Sequence, residues 1–230
     1  MQATTTPHDV VFLFDCDNTL LDNDRLLADL REFLTREIGA ENSKRYWEIS
    51  EELRAELGYV DYLGALQHLR LEQPLDTRFL SVSSFLLDYP FADRLFPGSL
   101  NVLQQLAQHG PTVILSDGDM VFQPRKLKRS GLWDAVEGRV LIYVHKEKML
   151  DQVKEVYPAG HYVMVDDKLR ILTAMKQAWG DSLTTVFPRQ GHYAFDPKEV
   201  SSNPPADVTV EKIGELAQVD AQRLTGSRNS

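Results

Sequence analysis

Short continuous apolar runs alternate along the chain with longer stretches of helical periodicity. Residues 10–14, 112–115, 140–144, 162–165 and 183–187 are rich in β-branched and aromatic side chains, and most show no in–out alternation. Strands buried on both faces have that pattern. Between them apolar positions recur at helical spacing: Leu100, Leu103, Leu106 and Ala107, then Met149, Leu150, Val153 and Val156, then Leu169, Leu172, Ala174 and Met175. Strand alternating with helix predicts an α/β fold built on a parallel sheet. Residues 207–219 predict a short edge strand followed by a helix.

One interval breaks this rhythm. Residues 22–95 contain no convincing buried strand and are dominated by helix formers, with Gly39, Gly58 and Pro74 as punctuation and Asn42 or Ser43 as an N-cap. Roughly four helices are expected there. Such a length is too great for a loop, so the chain is expected to divide into a core domain of residues 1–21 and 96–230 and an inserted helical domain of residues 22–95. Leu95-Phe96-Pro97-Gly98 returns the chain to the core. Residues 188–197 are expected to form a polar loop, and residues 225–230 a frayed tail.

Composition narrows the function classes. Hydrophobic residues make up 43% of the 230-residue chain and charged residues 26%, which is too apolar for intrinsic disorder. The net charge of −9 opposes binding to nucleic acid or to an anionic membrane, but a local group of cations could still hold a small anion. Cys16 is the only cysteine, so an intrachain disulfide is excluded. Residues 1–9 lack the basic start and apolar stretch of a signal peptide, and residues 10–14 are too short to span a bilayer. A cytoplasmic location is expected.

In open parallel sheets ligands bind beyond the carboxyl ends of the strands. There the first run gives Asp15-Cys16-Asp17-Asn18-Thr19, the second Ser116-Asp117-Gly118-Asp119, the third His145-Lys146-Glu147-Lys148 and the fourth Asp166-Asp167. If these ends meet, Asp15, Asp17 and one or both of Asp166 and Asp167 crowd one pocket with a hydroxyl and an ammonium. Clustered carboxylates need raised pKa values or a cation among them. An all-oxygen set selects a hard cation such as Mg²⁺, which points to phosphoryl transfer.

Asp15-Cys16-Asp17-Asn18-Thr19 resembles the DxDxT signature of the haloacid dehalogenase-like (HAD) superfamily. Ser116, a lysine near 146 and the Asp166-Asp167 pair follow in that family's motif order. Softer matches are Phe96-Pro97-Gly98, Gln123 with Lys126-Leu127, Gly131-Leu132 and Ala206-Asp207. The resemblance spans nearly the whole chain and implies a Rossmann-like HAD core with a helical cap inserted after the first strand. It further implies a Mg²⁺-dependent phosphatase acting on a small phosphorylated metabolite through an aspartyl-phosphate. Asp15 would be the nucleophile and Asp17 the acid/base. Lys146 would neutralise charge, and Thr19 and Ser116, with Asp117 and Gly118 in the same loop, would contact the phosphoryl group. Asp15, the Asp17 carbonyl, Asp167 and Asp166 would hold the metal.

The resemblance implies a lysine that opens a helix whose apolar face follows at offsets of three, four and seven. From Lys146 these reach Met149, Leu150 and Val153 and from Lys148 Asp151, Gln152 and Glu155, so Lys146 is preferred to Lys148. Two features depart from the family pattern. Asp167 is followed by Lys168-Leu169-Arg170, so Arg170 could pair with a carboxylate. Asp117 and Asp119 add acids that could pair with Lys126 or Arg125, cap the next helix or contact substrate. A 2-haloacid dehalogenase is the nearest rival, opposed by Asp17, which would have no leaving oxygen to protonate. A non-catalytic phosphoacceptor, opposed by the motif order, is the rival of another class. Cys16 and His145 receive no role. His192 and Tyr193 read equally well as pocket edge or polar loop. Tyr46, Trp47, Tyr59 and Tyr62 could contact a substrate but read by default as core aromatics of the insert, and Arg25, Arg45 and Arg54 could bind a second anionic group but read by default as surface charge.

Overall fold

Six strands form one all-parallel sheet in a computed structural model that describes residues 7–225. They are β1 (His8–Phe14), β2 (Thr112–Asp117), β3 (Val140–Tyr143), β4 (Ala159–Val165), β5 (Leu183–Pro188) and β6 (Val208–Val210), in the order β3-β2-β1-β4-β5-β6. Each apolar run read from the sequence is a strand. In β1, Phe12, Leu13 and Phe14 lie in register with Thr112, Val113 and Ile114 on one side and with Val163, Met164 and Val165 on the other. Its side chains alternate between two apolar clusters, Val10, Phe12 and Phe14 on one face and Val11 and Leu13 on the other. Both faces are covered, which is why the run is continuously apolar. β3 differs: it is half-buried along its length because it forms a sheet edge.

The helices are α1 (Asn23–Ile38), α2 (Ala40–Leu57), α3 (Tyr62–Glu72), α4 (Phe79–Asp88), α5 (Ser99–Leu106), α6 (Phe122–Ser130), α7 (Leu132–Ala135), α8 (Leu150–Val156) and α9 (Leu169–Trp179). Asp22 caps α1 by accepting from the Arg25 amide, and Leu26, Leu30, Leu34 and Ile38 form its buried stripe. Each such side chain stabilises the fold by roughly 1.5–3 kcal/mol. Asn42 and Ser43, expected as N-caps, lie inside α2, which already begins at Ala40; Asp61 caps the next helix, α3. The segment expected as a polar loop contains a short helix, Gly191–Phe195, and the last predicted helix is a 3-10 turn, Ile213–Gln218. Of the predicted tail, only Thr225 lies within the described residues.

The chain leaves and re-enters the sheet through an antiparallel bridge between Leu21 and Leu95, flanked by Asp22 N–H donating to Arg94 O (2.7 Å) and Phe96 N–H to Leu20 O (2.9 Å). The apolar cluster on one sheet face continues without a break into Leu26, Leu30, Ile49, Leu66 and Leu86 of α1–α4. Among the described residues no helix is long and apolar enough to cross a membrane.

Candidate active site

From β1 the chain runs outward to β2 and β3 on one side, then returns to β4, β5 and β6 on the other. The ends of β1 and β4 are therefore the switch point, where ligands bind in open α/β sheets. After β1 the backbone coils tightly: the Leu20 and Leu21 amides both donate to Cys16 O (2.9 and 3.0 Å), and Asn18 takes a left-handed conformation (φ 62°). Asparagine tolerates that region better than most residues. Its side-chain Oδ1 accepts from the Asn23 and Asp24 amides at the start of α1 (3.0 and 3.1 Å). Gln190 braces the same loop, donating to Thr19 O and accepting from the Ile213 amide, each at 2.8 Å. The turn presents Asp15 to Lys146, Asp166 and Asp167 and Asp17 to Lys126.

Asp15, Asp166 and Asp167 are buried, with a carboxylate oxygen of each within 4.8 Å of the others. Lys146, 1% exposed, donates its ammonium to Asp15 Oδ1 and lies 2.7 Å from Asp166 Oδ2. Burial disfavours the charged lysine, but Asp15, Asp166 and then Asp117 outweigh it and raise its pKa. Lys148 is exposed; the structure brings Lys146, not Lys148, to Asp15. Asp166 also accepts from the Lys168 amide (2.8 Å). Neither oxygen of Asp167 has a hydrogen-bond partner, and burial pushes its carboxyl well above the ordinary carboxylate range. Thr19, fully buried, donates to Asp15 Oδ2 (3.3 Å) and accepts from the Asp167 amide (3.0 Å), so its hydroxyl braces the acids from behind.

Asp17 meets a residue that reading along the chain did not connect with it. Lys126 of α6, 1% exposed, lies 2.7 and 2.9 Å from its two carboxylate oxygens and 3.2 Å from Asn23 Oδ1. Burial disfavours the charge of this lysine, but Asp17, Cys16 and Tyr62 together raise its pKa. Lys126 therefore pairs with Asp17 rather than Asp119, whose Oδ1 instead accepts from the Val121 and Phe122 amides (2.8 and 2.6 Å) at the start of α6. Ser116 accepts from Gln123 Nε2 (2.9 Å) and points its hydroxyl at Asp117 O (3.3 Å). Asp117 accepts from the Lys146 amide (2.8 Å); burial pushes it up to about 6. The Gly118 amide continues the β2–β3 pairing by donating to Tyr143 O (2.9 Å). The Cys16 thiol is held well above its usual pKa by burial and then by Asp17, so it stays protonated.

A cavity of about 300 Å³ opens over Asp17, between the sheet ends and α1–α3. Tyr59, Tyr62, His192 and Tyr193 line it, whereas Tyr46 is core, as expected, and donates to Tyr62 O (2.9 Å). Arg25 and Arg45 pair on the surface, with Asp29 and with Glu52 and Glu72. Arg54, read from the sequence as surface charge, lines the cavity, as do Lys168 and Arg170. Lys168 and Arg170 follow the strand-end Asp166-Asp167 pair in the sequence, but only the tertiary fold brings Arg54 to the same cavity.

A haloacid dehalogenase-like hydrolase family model matches residues 10–178. The chain is 76% identical to one from Burkholderia xenovorans LB400 whose crystal structure is described as a haloacid dehalogenase-like hydrolase, with 94% of this chain and 100% of that one covered and a TM-score of 0.88. Fold similarity alone extends to a magnesium-bound HAD-hydrolase of Bacillus subtilis (17% identity, 93% and 98% covered, TM-score 0.59). It also extends to the L-2-haloacid dehalogenase of Xanthobacter autotrophicus (20% identity, 92% and 97% covered, TM-score 0.58). No curated protein matches the chain. With its all-parallel Rossmann-like core and the acid and lysine motifs gathered at the strand ends, the chain belongs to the haloacid dehalogenase-like hydrolases.

Proposed function

We propose that the protein is a Mg²⁺-dependent phosphatase that hydrolyses a small phosphate monoester through a phosphorylated Asp15, with residues 22–95 forming a cap over the site. The observation that carries this is Asp167, a buried carboxylate with neither oxygen hydrogen-bonded, beside Asp15 and Asp166. An all-oxygen set with unsatisfied charge suits a small hard cation. Asp15 and Asp167, with Asp166 adjacent and the Asp17 main-chain carbonyl by family resemblance, would hold Mg²⁺. Bound there, the cation supplies positive charge that stabilises the transferring phosphoryl oxygens.

Asp15 attacks phosphorus while the ester oxygen departs and takes a proton from Asp17. Asp17 then removes a proton from water, whose oxygen attacks phosphorus and releases phosphate and free Asp15. Lys146 offsets the charge of Asp15 and the transferring oxygens. Asp17 supports ester hydrolysis over carbon–halogen cleavage, in which no leaving oxygen needs a proton.

The test is phosphate release from p-nitrophenyl phosphate and a panel of small phosphate esters, with and without Mg²⁺. Mg²⁺-dependent release that disappears in Asp15→Asn, with the circular dichroism spectrum retained, is expected, because an amide keeps the shape but cannot attack. Halide release from a 2-haloacid, with no phosphate release from any ester, would overturn the proposal in favour of a dehalogenase.

A further inference from the structure

Charge along the cavity wall is unevenly compensated. Lys126 is matched by Asp17, and Asp119 by the two backbone amides at the start of α6. Asp117 accepts from the Lys146 amide and lies beside that residue's ammonium charge. Three cations remain. Arg54 of α2 has one carboxylate in ion-pair range, the solvent-exposed Glu51 at 3.8 Å, a contact worth little in water. Among the described residues, Lys168 and Arg170 have no carboxylate within ion-pair distance of their side chains.

These cations form a path from the nucleophile outward. Lys168 directly follows the Asp166-Asp167 pair, and although burial disfavours its charge, Asp15, Asp167 and Asp166 together raise its pKa. Its ammonium sits 4.9 Å from the centroid of the Tyr193 ring, a cation–π contact, and the hydroxyl of the same tyrosine lies 3.5 Å from Arg54 Nη2. Tyr193 thus links a cation near Asp15 to a cation carried by the helical insert, and both border the one cavity. A substrate with a single phosphoryl group at Asp15 would leave Arg54 facing the cavity without a counter-charge. A planar guanidinium presents a fork of donors that matches a carboxylate.

We propose that the substrate carries a carboxylate a few bonds from its phosphoryl group, received by Arg54 with Lys168 and Tyr193, so that the ligand itself bridges the helical insert to the sheet. This inference rests on the phosphatase reading. Arg54 would then be a specificity residue, invisible to simple esters such as p-nitrophenyl phosphate.

The test is calorimetric and needs no turnover. Binding of phosphonoacetate and 3-phosphonopropionate, non-hydrolysable ligands with both groups, is compared with binding of ethylphosphonate, which lacks the carboxylate, and of 2-aminoethylphosphonate, which carries an ammonium instead. All are measured with Mg²⁺ present on the full chain and on Arg54→Gln. The better carboxylated ligand is expected to bind at least about tenfold tighter than ethylphosphonate, from one charge-assisted pair, and 2-aminoethylphosphonate weaker than either. In Arg54→Gln the preference should shrink to within about threefold. Chelation of free Mg²⁺ is the same for both proteins, so the change in ratio reports Arg54 alone. Equal binding of carboxylated and plain phosphonates, or a preference unchanged in Arg54→Gln, would overturn the inference while leaving the phosphatase reading intact. Failure of every phosphonate to bind, with no phosphate released from any ester, would overturn both.

Discussion

Asp167 and Asp117 carry opposite lessons about a buried carboxylate. Asp167 has no hydrogen-bond partner for either oxygen, a state that costs at least about 1–3 kcal/mol. Replacing it by Asn removes an ionisable carboxyl from the crowded cluster of Asp15, Asp166 and Asp167. The change should therefore raise the melting temperature of the cation-free protein and remove any increase produced by Mg²⁺, since a ligand that binds only the folded state stabilises it. Calorimetry of both proteins with and without Mg²⁺ checks this; a Mg²⁺ increment retained in Asp167→Asn would remove Asp167 from the metal site. Asp117 has a partner, the Lys146 amide, but burial still lifts it to about 6. A carboxyl whose folded pKa lies above its unfolded value holds its proton longer in the native state, so its stabilising contribution is present at low pH and is lost as pH rises toward 6. Asp117→Asn keeps an acceptor for that amide and cannot ionise. Its stability relative to wild type should climb between about pH 4 and pH 6, by on the order of 2 kcal/mol, and then level off. Urea unfolding across that range measures it.

At the scale of elements, the loop after β1 depends on a neighbour far along the chain. Gly191 opens the short helix Gly191–Phe195 at φ 71°, and a Cβ there would collide with the Asn18 side chain. Only glycine combines that conformation with so close an approach. Gly191→Ala should therefore destabilise the protein by about 1–3 kcal/mol and lower turnover, because Asn18 follows Asp17 directly and anchors the start of α1. A variant of wild-type stability and activity would show that the turn does not hold Asp17 in place. His192 tightens the same junction, with its ring nitrogen 2.6 Å and its amide 2.8 Å from the Asp24 carboxylate.

For the molecule as a whole, the insert and the sheet share one apolar cluster. Arg125 and Arg129 of α6 reinforce the join by donating to the Leu87 and Asp88 carbonyls at the end of α4 (2.6 and 3.0 Å). Such continuity predicts one cooperative unfolding transition. Trp47 reports from α2, whereas Trp133 and Trp179 belong to the sheet layers. In a Trp133→Phe, Trp179→Phe background, Trp47 fluorescence and far-ultraviolet circular dichroism should therefore unfold at the same urea concentration. Separate transitions would mean that residues 22–95 fold as an independent unit.

The strands, the helical insert and the strand-end placement of Asp15, Ser116, Lys146 and Asp166-Asp167 were determined by the sequence itself, because apolar periodicity and the turn after a buried strand are local properties of the chain. The preference for Lys146 over Lys148 followed from helical offsets that the family resemblance implied. The pairing of Lys126 with Asp17 spans 109 positions, and the meeting of Arg54 with Tyr193 spans 139. Neither pairing leaves a trace in spacing or composition: Lys126 reads as a partner for Asp117 or Asp119, and a lone Arg on an insert reads by default as solvated charge. The caps of α2 and α3 were likewise misplaced or unmarked, since Gly39 had already ended α1 and left no room for Asn42 or Ser43 to start a helix. Which charges are compensated, and which are left facing a cavity, was decided only by the tertiary structure, because compensation is a matter of distance and burial between residues that the chain order keeps apart.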